Sequence, residues 1–183
     1  MSPDVQDNSL AGVIDIHCHC GPDSIPRTID AIDLARMAKE RGMRGIVLKN
    51  HYEPTASLAY ITSKMVPGIE IFGGVALNLS VGGMNAYAVE YMAKVAGGRG
   101  LFVWMGSLDT ESQFRHDGRK RPYVSMFRDG VLLPEACDVL DVIARHDLIM
   151  ETGHWTAGEV LTLIAEAVKR GVRRIVVDRK SVV

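Results

Sequence analysis

Two histidines one residue apart, His17 and His19 in the run VIDIHCHCGPD, are the residues best suited to chemistry in this chain. Side chains on a β-strand alternate with period two, so Asp15, His17 and His19 share one face and Ile14, Ile16 and Cys18 the other. The apolar set belongs against a helix layer, which turns both imidazoles toward a cleft or barrel interior. Two neutral imidazoles on one face can chelate a divalent cation such as Zn²⁺ or Mn²⁺. A zinc knuckle through Cys18 and Cys20 is rejected, because alternation sets Cys18 opposite the histidines and no second Cys/His cluster follows.

Further candidates lie downstream. In IVLKNH the same parity groups Val47, Lys49 and His51. A lysine facing the helices would be costly to bury, so Lys49 is expected to point inward beside His51. There it could orient a substrate carboxylate or join an ion pair with Asp15 or another carboxylate. In LIMETGHW, Gly153 allows a sharp turn that presents His154, a third imidazole leaving an open position for water. Asp109 is the candidate acidic group. Glu151 has the opposite parity to His154, and Glu70 falls at the start of its strand, away from the chemistry. His146 reads as a cation near a helix C-terminus, and His116 falls in a long connection.

These residues need a scaffold that brings strand ends together. Apolar runs at 13–17, 45–49, 69–77, 101–105, 148–152 and 174–177 alternate with helical patterns at 29–41, 55–66, 85–96, 134–146 and 157–170. That alternation predicts βα units and a parallel sheet, whose C-terminal strand ends are where sites are built. Thr28 is the expected cap of the first helix and Gly42 its stop; Thr156 with Glu159 forms a capping box, Gly171 ends that helix, and Pro134 opens its own. Met37, Met43, Met84, Met92, Tyr87 and Tyr91 fall at helical spacing and are assigned to the core. Residues 107–131 read as a structureless connection of the size of a lid, with a basic segment, 115–121, that hints at a carboxylate-bearing substrate, a solvated charge run being the plainer reading.

Composition narrows the class. The chain has 183 residues, 47% hydrophobic and 23% charged, as expected of one globular domain. A net charge of −1 gives no electrostatic case for nucleic acid or an anionic membrane. No apolar run approaches the roughly 20 residues that span a bilayer. The first dozen residues carry no secretory signal, and three cysteines fit a reducing compartment, so a cytoplasmic protein is expected. No G-x-G-x-x-G opens a helix and no G-x-S-x-G elbow occurs, which disfavours a nicotinamide enzyme and a serine hydrolase. The last six residues, DRKSVV, match the translation of a common sequencing adapter and are expected to be a non-native tail on a single domain spanning 1–183.

The ordered set DIHCHCGPD, LKNH, GGVALN and TGH, from residue 12 to residue 177, resembles an uncharacterised branch of the amidohydrolase-like superfamily of metal-dependent TIM-barrel hydrolases. The resemblance implies an α/β fold, a (β/α)₈ barrel with about six of its eight units present. It makes His17, His19 and His154 ligands of a divalent metal, Zn first, with Mn or Fe as alternatives. Lys49, His51 and Asp109 are the candidate catalytic residues. The superfamily's later histidine and aspartate would lie beyond Val177, and LFVWM lacks the bridging lysine or glutamate, so a mononuclear site and an inactive chain are expected. The implied reaction is attack of a metal-activated water on a small amide, ester or lactone, in a protein that could form homo-oligomers. A PHP-type phosphoesterase, with His51 as a ligand, and a non-catalytic degenerate barrel are the alternatives.

Overall fold

Caps and glycines divide the chain much as its sequence suggests, with instructive exceptions. The computed structural model describes residues 9–118 and 120–177; the expected tail at 178–183 and Arg119 of the basic segment lie outside them. Strands β1 (Ile14–His19), β2 (Gly45–Lys49), β3 (Glu70–Ala76) and β4 (Gly100–Trp104) are followed by a short hairpin, β5 (Phe127–Arg128) and β6 (Val131–Leu132). Strands β7 (Ile149–Glu151) and β8 (Arg174–Val176) complete the set. The helices are α1 (Ala31–Glu40), α2 (Ala56–Met65), α3 (Ala86–Ala93), α4 (Glu111–Asp117), α5 (Pro134–Arg145) and α6 (Ala157–Lys169).

Six strands pair in parallel in the order β1-β2-β3-β4-β7-β8, following the chain, and the sheet curls into half a barrel. Val47, Ala76, Phe102 and Trp104 fill its concave face, with Ile16 against them. Ile46, Leu48 and Cys18 face outward to Ala31 and Ala35 of α1. The larger outer core joins Val75, Val103 and Met150 of the sheet to Val89, Leu140 and Leu163 of α3, α5 and α6. The pair Gly73-Gly74 explains how tightly this layer closes. A Cβ at Gly73 would meet the Thr55 backbone at 2.5 Å, and one at Gly74 would strike the Phe102 carbonyl and the Trp104 ring. Thr55 Oγ1 uses the first gap to donate to the Leu48 carbonyl (2.6 Å) and accept from the Gly74 amide (2.9 Å), tying α2 to β2 and β3.

Four expectations are corrected. Asp30, rather than Thr28, caps α1: its Oδ1 accepts from the amides of Ile32 and Asp33, both at 2.9 Å. Tyr87 and Tyr91 are 77% and 66% exposed and Met37 is also exposed, because α1 and α3 bury other faces, Ala35 and Ala38 in one and Val89 and Met92 in the other. Residues 107–131 are not structureless. Thr110 caps α4, the β5–β6 hairpin follows, and Val124 and Met126 reach the main core. Alternation in β1 also fails. The register shifts between Asp15 and Cys18, placing Asp15 beside outward-facing Ile46 while Ile16 packs inward. The expected capping box at Thr156 and Pro134 at its helix start are both present.

Candidate functional site

The irregularity in β1 shapes the rim at the C-terminal strand ends. Asp15 Oδ1 accepts from the His17 amide at 2.9 Å within the shifted stretch. Beyond it Cys18 and Leu48 share one register position and His19 and Lys49 the next, so His19 stands on the inner face with Lys49. The rings of His17 and His19 are 5.3 Å apart, and His17 also meets Trp104 edge-on at 6.2 Å. The turn after β2 is held by Asn50, whose Oδ1 accepts from the amides of Tyr52 and Glu53. It brings His51 to 4.5 Å from His19, the closest of these ring pairs.

His51 Nδ1 meets Ser107 Oγ at 3.0 Å. Ser107 Oγ in turn accepts from Asn78 Nδ2, and Asn78 Nδ2 also donates to the His51 carbonyl, each at 2.9 Å. Asn78 Oδ1 accepts from the Ser107 amide at 2.9 Å, so this one buried side chain locks the ends of β2, β3 and β4 together. On the far side, Gly153 with φ 76° lies too close to the Gly106 carbonyl for any Cβ. His154 is fastened there by its amide to Gly106 (3.2 Å) and by its carbonyl, which accepts from Thr110 Oγ1 (2.8 Å).

Burial and nearby charge keep the His19 and His51 rings neutral. Burial, then the charge of Arg27, lowers His19 to about 4; burial, then His19, Lys49, His154 and Arg27, lowers His51 to about 3. Lys49 is 1% exposed, with Nζ 4.7 Å over the Trp104 ring. Glu151 is fully buried and shares a register position with Trp104, so an acid and a base flank that indole on the inner face. Arg27, Asp23, Asn78 and Ser107 carry much of this geometry, and residue spacing singles out none of them.

Asp109 is held by the connection after β4 and by the start of the turn after β3. Its Oδ1 accepts from Arg121 at 2.7 Å and its Oδ2 from the Leu79 amide at 3.1 Å, so it anchors the connection after β4. Two arginines of the basic segment are paired: Arg115 meets Glu159 at 3.0 Å and Arg121 meets Asp109. His116 is exposed on α4, and His146 pairs with Glu90 at 2.9 Å behind α5.

The donors suit a divalent metal in kind. With Zn–N near 2.0–2.1 Å, two imidazoles on one ion have ring centres roughly 5 Å apart, and the His17–His19 and His19–His51 separations are of that order. Orientation is less ready. Arg27 Nη2 lies 3.4 Å from His19 Nδ1 and can only donate, which makes Nδ1 the acceptor and leaves the ring proton on Nε2. Among the described residues no three His, Cys, Asp or Glu side chains already converge on an ion position. A metal therefore requires the rings to turn.

The cysteines take no part. Burial pushes Cys18 up to about 12 and Cys20 up to about 11, so both stay thiols at neutral pH. At pH 8 the native chain is expected to react with DTNB only at half-buried Cys137, Cys18 and Cys20 following on unfolding. Rapid titration of all three in native buffer contradicts this arrangement.

No helix among the described residues is long and apolar enough to cross a membrane. No curated protein and no solved structure matches the chain. One family model does, over residues 12–183, and its description is a family of unknown function. A match over nearly the whole length decides membership: the chain belongs to the family of unknown function DUF6282.

Proposed function

We propose that the rim is the active site of a metal-dependent hydrolase acting on a small amide, ester or lactone in the cytoplasm. The proposed scaffold is a TIM-type (β/α)₈ barrel of the amidohydrolase-like kind, to which these residues contribute six strands. The observation that carries the reading is the meeting of histidines from separate strand ends at one rim: His17 and His19 from β1, His51 after β2 and His154 after β7. His17, His19 and His154 would hold one divalent ion, Zn first and Mn or Fe next. Bound there, the ion supplies a water acidified toward about pH 7 and a Lewis acid for the carbonyl. His51, steadied by Ser107, and Lys49, at the floor of the rim, bind and orient the substrate. Asp109 positions the connection after β4 through its ties to Arg121 and Leu79.

A specific contact favours a second reading, a PHP-type phosphoesterase. His51 is the ring nearest His19, and Ser107 at its Nδ1 leaves Nε2 as a possible ligand, the usual arrangement behind a metal-bound histidine. His51→Ala separates the two. Metal content should persist, and in the complete barrel turnover of lactones or amides should fall, if His51 only binds substrate. If His51 is a ligand, metal is lost, and phosphate esters in the same panel are the ones turned over by the unmodified chain. A chain that binds no metal and turns over none of the panel is a degenerate barrel, and the proposal fails.

A further inference from the structure

One cation, Arg27, meets a histidine of the rim directly. Arg27 lies in the connection between β1 and α1, in the stretch SIPRT, and its side chain is 19% exposed. Beneath it the Asp23 carboxylate is fully buried, and Asp23 Oδ2 accepts from Arg27 Nε at 2.8 Å and Nη2 at 2.7 Å. Burial pushes the Asp23 carboxyl up, but the Arg27 hydrogen bond and the Ile25 amide outweigh it and hold the group below its usual range.

The donors of a guanidinium can be counted. Of five N–H groups, Asp23 takes one from Nε and one from Nη2, and the second on Nη2 faces His19 Nδ1. Both hydrogens of Nη1 remain. They belong to a side chain that its buried partner already holds in place, so a ligand would lose little entropy in orienting it. Arg115 and Arg121 of the basic segment are already engaged by carboxylates.

We infer that Arg27, fixed by Asp23, is an oxyanion-recognition residue that receives a carboxylate or phosphate group of the substrate beside His19. A planar guanidinium gives short, charge-assisted bonds to such groups and gains far less from a neutral amide. This role rests on the reading of the rim as a substrate site, and it moves the expected anion from the 115–121 segment to the opposite side of the rim.

The test is calorimetric titration of the full chain, at fixed ionic strength, with malonate, inorganic phosphate and neutral malonamide, metal content being measured on the same samples. The unmodified chain should bind at least one of the anions and not malonamide. Arg27→Met should weaken that binding at least about tenfold, the scale of one charged hydrogen bond, and Arg27→Lys should restore only part. Because Arg27→Met strands a buried carboxylate, the double variant Asp23→Asn/Arg27→Met provides a folded control. Preference for malonate assigns a carboxylate substrate and preference for phosphate a phosphate ester; either supports the inference. Anion binding that is absent, or equal in the variants, overturns it. Metal content reports separately on the proposed hydrolase, since Arg27 dependence can hold in a chain that carries no metal.

Discussion

Asn78→Ala is expected to destabilise the chain by about 4 kcal/mol. The side chain is 1% exposed, and it satisfies the Ser107 amide, Ser107 Oγ and the His51 carbonyl, each at 2.9 Å. Ser107 is itself buried, so alanine leaves polar groups in a dry pocket without partners, at roughly 1–3 kcal/mol for each that water cannot reach. At roughly 2–4 °C per kcal/mol for a chain of this size, the melting temperature should fall by about 12 °C. Asn78→Asp keeps the acceptor for the Ser107 amide but loses both donors, and should fall between. Chemical denaturation of the three proteins measures this. An alanine variant within about 1 kcal/mol of the parent would mean that water or a rearranged loop replaces the bridge.

The second large effect concerns Lys49 and Glu151. Lys49 lies over Trp104, and Glu151 is the register neighbour of that indole on the next strand, so opposite charges share a water-free inner face. Burying charges is costly unless each offsets the other, and removing one of two costs about 3–5 kcal/mol while replacing both with apolar groups costs much less. Glu151→Leu and Lys49→Met should each lose about 3 kcal/mol, with the double variant falling short of the sum by at least about 2 kcal/mol. Urea unfolding of all four proteins closes the cycle. Strict additivity would show that the two charges do not sense each other across the indole.

The order of the parallel strands is legible in the sequence because each βα unit carries its own period and end signals. The capping box at Thr156 and the proline opening α5 are local chemistry and appear where they are read. The bulge in β1 is not legible. IDIHCH alternates cleanly, and only pairing with β2 reveals the shift that turns Asp15 out and Ile16 in. Residues 107–131 mislead for a related reason: Val124 and Met126 are isolated apolar residues in a polar stretch, so no period announces that they reach the core. The histidines of the rim can be found by asking which residues follow strands. Arg27 cannot, since SIPRT has no periodicity and its role depends on Asp23 beneath it and His19 across the loop. Asn78 ends the strand in GGVALN, and a polar residue at a buried strand terminus is the available signal. The partner of Asp109 is equally hidden in the sequence, since Arg121 lies twelve residues on.

The central claim is that histidines from two strand ends, His17 and His19 of β1 and His154 after β7, make a metal site, and elemental analysis tests it most directly. After dialysis against metal-free buffer, then against buffer with limiting Zn²⁺ or Mn²⁺, the chain should retain close to one ion, as a three-imidazole site does. His17→Ala/His19→Ala should retain none, and the bound ion should raise the melting temperature of the parent alone. A parent chain that retains no ion, with a melting temperature unmoved by added metal, contradicts the account and leaves the rings as structural partners of Ser107 and Arg27.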